Sequence, residues 1–109
     1  MKIEVSIGEV FDKVSILEIK REKITDKAKL TYVASELEII RKTLKDHGIV
    51  IPDSLYSKLK DVNLKLWATE DIIRNGELTQ NFDEEFIKHA RLDAKLNDER
   101  FLIKNEINN

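Results

Sequence analysis

Residues 30–44 read LTYVASELEIIRKTL, and this stretch decides the fold class. Its aliphatic side chains recur at alternating steps of three and four residues, in the order Leu30, Val33, Leu37, Ile40 and Leu44. That spacing lines one side of an α-helix and is typical of helices that pack along a narrow seam. Asp26 is a good N-cap, and Gly48 can adopt the left-handed conformation that ends a helix. The sequence therefore predicts a helix over about residues 27–47.

Three further helices are predicted around this one. Ser6 and Glu9 have the spacing of a capping box, and helical apolar periodicity follows, which predicts a helix over about residues 7–24. Pro52 and Asp53 begin a third helix that is expected to end at Asn75–Gly76, giving about residues 53–75. Asp83 caps a fourth, over about residues 83–107.

The predicted seams differ in quality. The third helix has a regular seam, with Thr69 in its one polar position, made of Leu55, Leu59, Val62, Leu66 and Ile73. The seam of the fourth helix is weaker, because Asn97 interrupts a series made of Ile87, Ala90, Ala94 and Phe101. Leu102, Ile103 and Ile107 close the end of this seam. The first helix has apolar residues on two sides, so its middle is expected to be covered from two directions.

The connections between these helices are short, which forces neighbouring helices to run antiparallel. We therefore predict an all-α fold, an antiparallel up-and-down bundle of four helices in a single domain spanning residues 1–109. Ile3 and Val5 are β-prone and would lie at the same end of the bundle as residues 49–51. A very short two-stranded β pairing near the N-terminus is therefore an additional option.

Composition narrows the function classes. A chain of 109 residues suits one core, and its 41% apolar and 37% charged residues, with three Gly and one Pro, favour helices. The net charge of -2 argues against nucleic-acid and anionic-membrane partners. The absence of Cys excludes thiolate nucleophiles and Cys-based zinc sites. No stretch approaches the ~18 apolar residues of a membrane span, so we expect a cytoplasmic protein with neither nucleic acid nor membrane as partner.

Potential metal ligands recur every four residues along one face of the fourth helix, namely Glu85, His89, Asp93 and Asn97. A di-iron bundle needs a Glu-x-x-His pair on each of two helices and carboxylates from two more, and this chain has one such stripe. A solvated polar face is the better interpretation, and no metal or cofactor is expected.

Three groups of residues resemble motifs of a known family. They are Gly8-Glu9, Asp12-Lys13 and Ser15 to Lys20; then Asn63, Leu66-Trp67 and Glu70-Asp71; then Asn97-Asp98 and Arg100. Read together, the chain resembles a family of short all-helical proteins of unknown function from bacteria and their phages. The resemblance implies no established activity, cofactor or partner, but it supplies a set of candidate residues.

A rise of ~1.5 Å per residue assigns the candidates to two heights in an antiparallel bundle. The lower polar layer contains Asp12, Lys13, Asn63, Asn97, Asp98 and Arg100. The upper polar layer contains Lys20, Lys23, Glu70, Asp71, Arg74 and Arg91. One compact site using all of them is not expected. Either layer could be an ion-pair network that fixes helix register, which is the favoured interpretation, or a polar pocket. Asn97 is predicted to face the interior, with partners on the first or third helix.

Two functions remain open. The favoured one is a non-enzymatic helical interaction module that self-associates or binds another protein. It is expected to form a homodimer that buries Ile16, Ile19, Trp67 or Ile72. The alternative is a small helical enzyme, a hydrolase or lyase, that acts on a small anionic substrate through a polar layer between the first, third and fourth helices.

Overall fold

The computed structural model describes residues 6–109, which form four α-helices: α1 (Ile7–Lys23), α2 (Lys27–Asp46), α3 (Asp53–Thr79) and α4 (Glu84–Asn108). The all-α helical bundle is confirmed, and no strand is present in the described residues. Residues 49–51 form no strand, and their suggested partners Ile3 and Val5 lie outside the described residues. No stretch within these four helices is long and apolar enough to cross a membrane.

The helices begin where their capping residues place them. The Ser6 hydroxyl accepts a hydrogen bond from the Glu9 amide at 3.2 Å. The Asp26 carboxylate accepts from the first amides of α2, and that of Asp83 accepts from the Phe86 amide at 3.0 Å. Each side chain satisfies amides that have no partner inside the helix.

The prediction that α3 ends at Asn75–Gly76 is wrong, since the helix continues to Thr79. Gly76 permits a close approach of α4 instead of ending α3. A Cβ atom there would lie 2.5 Å from Cδ2 of the Phe86 ring. The helix ends at Gln80, whose backbone has the left-handed φ of 54°.

The seams of α2 and α3 are confirmed except at Leu30 and Ile73, which are half-buried outside the core. Their core residues include Val33, Leu37, Leu59, Val62 and Leu66. The predicted seam of α4 is confirmed at Ile103 and Ile107 and wrong at Ile87, Phe101 and Leu102. Ile87 and Phe101 are exposed, and the buried residues of this helix are Leu96, Ile103 and Ile107. Arg100 lies on the same stripe as these three, at helical spacing. Because a charged residue occupies one of the inward positions, the apolar pattern alone indicates the wrong face of this part of the helix.

The first helix occupies the centre of the arrangement. α1 packs against α2, α3 and α4, whereas no Cα atom of α2 comes within 8 Å of α3 or α4 in the described residues. The arrangement therefore differs from a ring in which each helix contacts the next along the chain. It follows from the apolar residues on two sides of α1: Val14 and Leu17 join the main core, and Ile19 is buried outside it.

α3 and α4 form a long antiparallel hairpin. Gly76 lies against Phe86 near the turn, and Val62 shares a groove with Ile103 at the other end. Most of the outer part of the hairpin lies beyond the core, although Leu92 of α4 packs against the core and is partly buried. In residues 70–95, which we call the hairpin arm, no side chain is buried.

Candidate functional site

A buried carboxylate on α1 is the centre of a polar network between three helices. Asp12 is 3% exposed. Its Oδ1 accepts from Asn63 Nδ2 of α3 at 2.9 Å and from Arg100 Nε of α4 at 2.8 Å, and its Oδ2 accepts from Arg100 Nη2. The Arg100 guanidinium thus grips the carboxylate with two N–H groups, the strongest form of such a pair.

Ser15 completes the network, and the candidate set had omitted it. Its hydroxyl donates to the Asp12 backbone carbonyl at 2.7 Å and accepts from Asn63 Nδ2 at 2.7 Å. Ser15 is 0% exposed and lies three residues from Asp12, on the same face of α1. That spacing within the first motif is the sequence signal that would have found it.

The two charged groups of the network stabilise each other's ionised forms. Burial alone would raise the pKa of the Asp12 carboxyl, but the hydrogen bonds from Arg100 and Asn63 hold that pKa below its ordinary value of 3.8. The hydrogen bond to Asp12 raises the pKa of the Arg100 guanidinium, against the opposing effect of burial. Asp12 therefore remains charged at neutral pH, and its carboxylate is fully engaged.

Beside this network lies a cleft of about 210 Å³ between α1, α3 and α4, which we call the central cleft. Its apolar wall is formed by Ile16, Ile19, Leu66 and Trp67. Its polar lining is formed by Lys20, Asn63, Glu70 and Arg100. The cleft thus places both charge signs next to an aromatic surface.

Glu70 is the carboxylate of the central cleft and is destabilised in its ionised form. Partial loss of water raises the pKa of its carboxyl above the ordinary value of 4.5, and the nearby Asp93 carboxylate raises it further. A carboxyl group whose pKa rises on folding destabilises the folded state at pH values above that pKa. It has no such effect at pH values well below 4.5. The folded state therefore bears a penalty from Glu70 at neutral pH.

We expect Glu70→Gln to raise the free energy of unfolding at pH 7 by about 0.5 kcal/mol, the scale of a solvent-screened interaction. The gain should vanish as the pH falls below 4.5, where both states protonate the wild-type carboxyl. Chemical unfolding of both proteins between pH 3 and pH 8 measures the difference. Glu77→Gln, at an exposed position of the same helix, is the control and should show no comparable gain. A Glu70→Gln variant less stable than wild type at pH 7 would contradict the expectation.

The structure brings together half of the lower polar layer. Asp12, Asn63 and Arg100 meet, whereas Lys13 is exposed and pairs with Glu36 of α2 at 2.6 Å. Asp98 is exposed.

The prediction for Asn97 is wrong, because its Nδ2 donates to the Asp93 backbone oxygen at 3.0 Å and to Asp93 Oδ2 at 3.3 Å. Its amide donors are thus satisfied one turn back on its own helix. The Asn97 side chain can therefore be partly buried without a hydrogen bond to α1 or α3.

The structure also brings together only some residues of the upper polar layer. Lys20 and Glu70 line the central cleft, but Asp71 and Arg74 pair with each other at 3.1 Å on the surface. Lys23 and Arg91 are exposed. The cleft draws on both layers, contrary to the expected separation, because long charged side chains reach beyond the height of their own backbone.

The polar stripe of α4 is not the solvated face that its sequence suggested. His89, Asp93 and Asn97 are all half-buried, and His89 Nε2 lies 3.1 Å from Glu85 Oε1. Asp93 Oδ1 and His89 Nδ1 are buried without a hydrogen-bond partner in the described part of the chain. Residues 6–109 contain no group of three or more His, Asp or Glu side chains arranged to hold a metal ion.

Comparison with known proteins places the chain in a family without assigning an activity. No match was found among curated proteins or among solved structures. One family model, described as a family of unknown function (DUF6165), matches residues 1–109. Because that match covers the whole chain, the protein belongs to this family of unknown function.

Proposed function

We propose that this protein is a helical interaction module that associates with a second copy of itself through the hairpin arm. The observation that carries the proposal is the lack of any buried side chain in residues 70–95. The arm nevertheless presents large apolar residues, and Ile72, Leu78, Phe82 and Ile87 are all exposed. Two helices cannot bury their apolar faces alone, whereas two such hairpins together make a four-helix bundle.

The charges of the arm suit self-association. Its tip, residues 77–87, carries four carboxylates, Glu77, Asp83, Glu84 and Glu85, and no Lys or Arg. The following segment of α4 carries Lys88, Arg91 and Lys95. A two-fold axis that pairs the arms antiparallel would place each acidic tip beside the basic segment of the other copy.

The proposed dimer surface differs from the one expected from the sequence, because it lies along the hairpin arm. Ile72 belongs to the arm, but Ile19 is 1% exposed within the single chain and has no surface to offer a partner. Ile16 and Trp67 line the central cleft. Full engagement of Asp12 by Arg100 and Asn63 supports the interpretation of the lower network as a device that fixes helix register, which favours a module over an enzyme.

We expect the wild-type chain to be a dimer at tens of micromolar in sedimentation and light-scattering measurements. Ile87→Glu should raise the dissociation constant more than tenfold, because it places a charge in the apolar contact. Phe101→Glu is the matched control, since it changes another exposed apolar residue of α4, outside the arm.

A monomeric wild-type chain would contradict self-association. So would an equal loss of dimer in the two variants, because the contact would then not be specific to the arm. Circular dichroism of each variant verifies that the helices remain formed.

A further inference from the structure

The central cleft has features of a ligand site that the proposed self-association does not use. Its volume of about 210 Å³ lies below the ~300 to 1,000 Å³ typical of sites for drug-sized molecules, so a ligand there must be small. It combines one aromatic wall, Trp67, with charged groups of both signs, Lys20 and Glu70. It also lies at the base of the hairpin arm, from which it takes Glu70, and not at the exposed tip of the arm.

A buried amide supplies a fixed acceptor in the cleft. Asn63 is 5% exposed, and its Nδ2 donates to Asp12 and to Ser15. Because Ser15 donates its own proton to the Asp12 carbonyl, it must accept from Asn63, which fixes the orientation of the amide. Among the hydrogen bonds of the described residues, none is accepted by Asn63 Oδ1, so this oxygen is available to a donor in the cleft.

The charge balance of the cleft selects the class of ligand. Arg100 lines it, but the bidentate bond to Asp12 already balances the guanidinium charge. Among the residues that line the cleft, one cation, Lys20, and one carboxylate, Glu70, remain to act on a ligand. The Asp93 carboxylate lies near Glu70 but does not line the cleft. A simple anion would meet Glu70, and a simple amine would meet Lys20. A molecule with a carboxylate and an ammonium group satisfies both.

We propose that the central cleft binds a free α-amino acid with a small apolar side chain. The ligand carboxylate pairs with the Lys20 ammonium, and its ammonium group donates to the Glu70 carboxylate and to Asn63 Oδ1. The apolar side chain packs against Trp67 and Ile16. The stability penalty of Glu70 fits this role, since polar groups of binding sites are commonly held at a cost to folding.

The sequence provides a local reporter for this binding. Trp67 is the single Trp of the chain and lines the cleft, so intrinsic tryptophan fluorescence reports on this site alone. We expect L-leucine to produce a saturable fluorescence change with a dissociation constant of about 1 mM or lower. Three matched probes, each lacking one recognition group, should bind at least tenfold more weakly: 4-methylpentanoate, 3-methylbutylamine and glycine.

Substitutions test the two charged contacts separately. Lys20→Met and Glu70→Gln should each weaken L-leucine binding at least tenfold, while Lys42→Met and Glu77→Gln, at exposed positions away from the cleft, should leave it unchanged. The proposed self-association is tested with different variants, Ile87→Glu and Phe101→Glu. Failure of one proposal therefore leaves the other in place. The absence of a saturable change up to about 10 mM L-leucine, ten times the expected constant, overturns the proposal. Equal affinity for 4-methylpentanoate or 3-methylbutylamine also overturns it, whatever the variants show.

Discussion

Replacing Asp12 with alanine is expected to lower the free energy of unfolding by about 3 kcal/mol, the lower end of the range for breaking a buried ion pair. The variant leaves the Arg100 guanidinium in a site with little water and without its counter-charge. The Arg100 side chain retains 25% exposure, which is why the lower end applies. Asn63 also loses one acceptor for its amide protons. Urea unfolding followed by circular dichroism measures the change.

Lys13→Ala is the matched control for this experiment. Lys13 neighbours Asp12 in the chain and also makes an ion pair, with Glu36, but its side chain is 57% exposed. A surface pair of this kind contributes at most about 1 kcal/mol. Adding Arg100→Met to Asp12→Ala should recover part of the lost stability, because it removes the uncompensated charge. Equal effects of Asp12→Ala and Lys13→Ala would show that the buried network does not hold the helices together.

Gly8→Ala is expected to lower the free energy of unfolding by about 2 kcal/mol, although alanine is the better helix former by ~1 kcal/mol. The reason is the contact between α1 and α4. A Cβ atom at Gly8 would lie 2.6 Å from the backbone oxygen of Lys104. Backbone atoms cannot rotate away, so the two helices would have to separate. The bond from the Gly8 amide to Asn108 Oδ1, now 2.7 Å, would be lost with them.

Gly76→Ala provides the comparison for Gly8→Ala, because its new Cβ would clash mainly with the Phe86 ring, while the nearest backbone atom, the Asn81 oxygen, would lie 3.2 Å away. The ring belongs to a half-buried side chain that can change its rotamer. The gain in helix propensity should offset that strain, leaving stability within about 0.5 kcal/mol of wild type. Thermal unfolding of the two variants side by side tests the difference. A larger loss at Gly76 than at Gly8 would contradict this account of the α1–α4 contact.

Much of the fold could be predicted from local signals. Ser6, Asp26 and Asp83 cap helices by bonding amides within three residues, so the information lies in the adjacent sequence. The seams of α2 and α3 follow from periodicity, because their inward positions are nearly all apolar. Which helices pack against each other was harder to predict. Whether α2 contacts α3 depends on which faces of α1 are occupied, and that is decided by the whole assembly.

The candidate site could be predicted in part. Asp12, Asn63 and Arg100 were selected from the family resemblance and do meet, although Arg100 is 88 residues from Asp12 in sequence. Asn97 was misplaced because its amide can be satisfied by the preceding turn of α4 as well as by another helix. The first part of the apolar seam of α4 was misread for a related reason: Arg100 occupies an inward position, where it pairs with Asp12. Such pairs are fixed by two distant positions together, and neither helix alone reveals them.

The central position of α1 has a consequence for the order in which the chain can fold during synthesis. A ribosome releases α1 and α2 first, and these two can pair at once. The side of α1 that carries Gly8 and Asp12 has to wait, since its partners Arg100 and Asn108 lie on α4 and emerge only after α2 and α3. Until then an ionised Asp12 keeps that side hydrated. The same carboxylate that locks the finished bundle therefore discourages premature association of a nascent, incomplete chain.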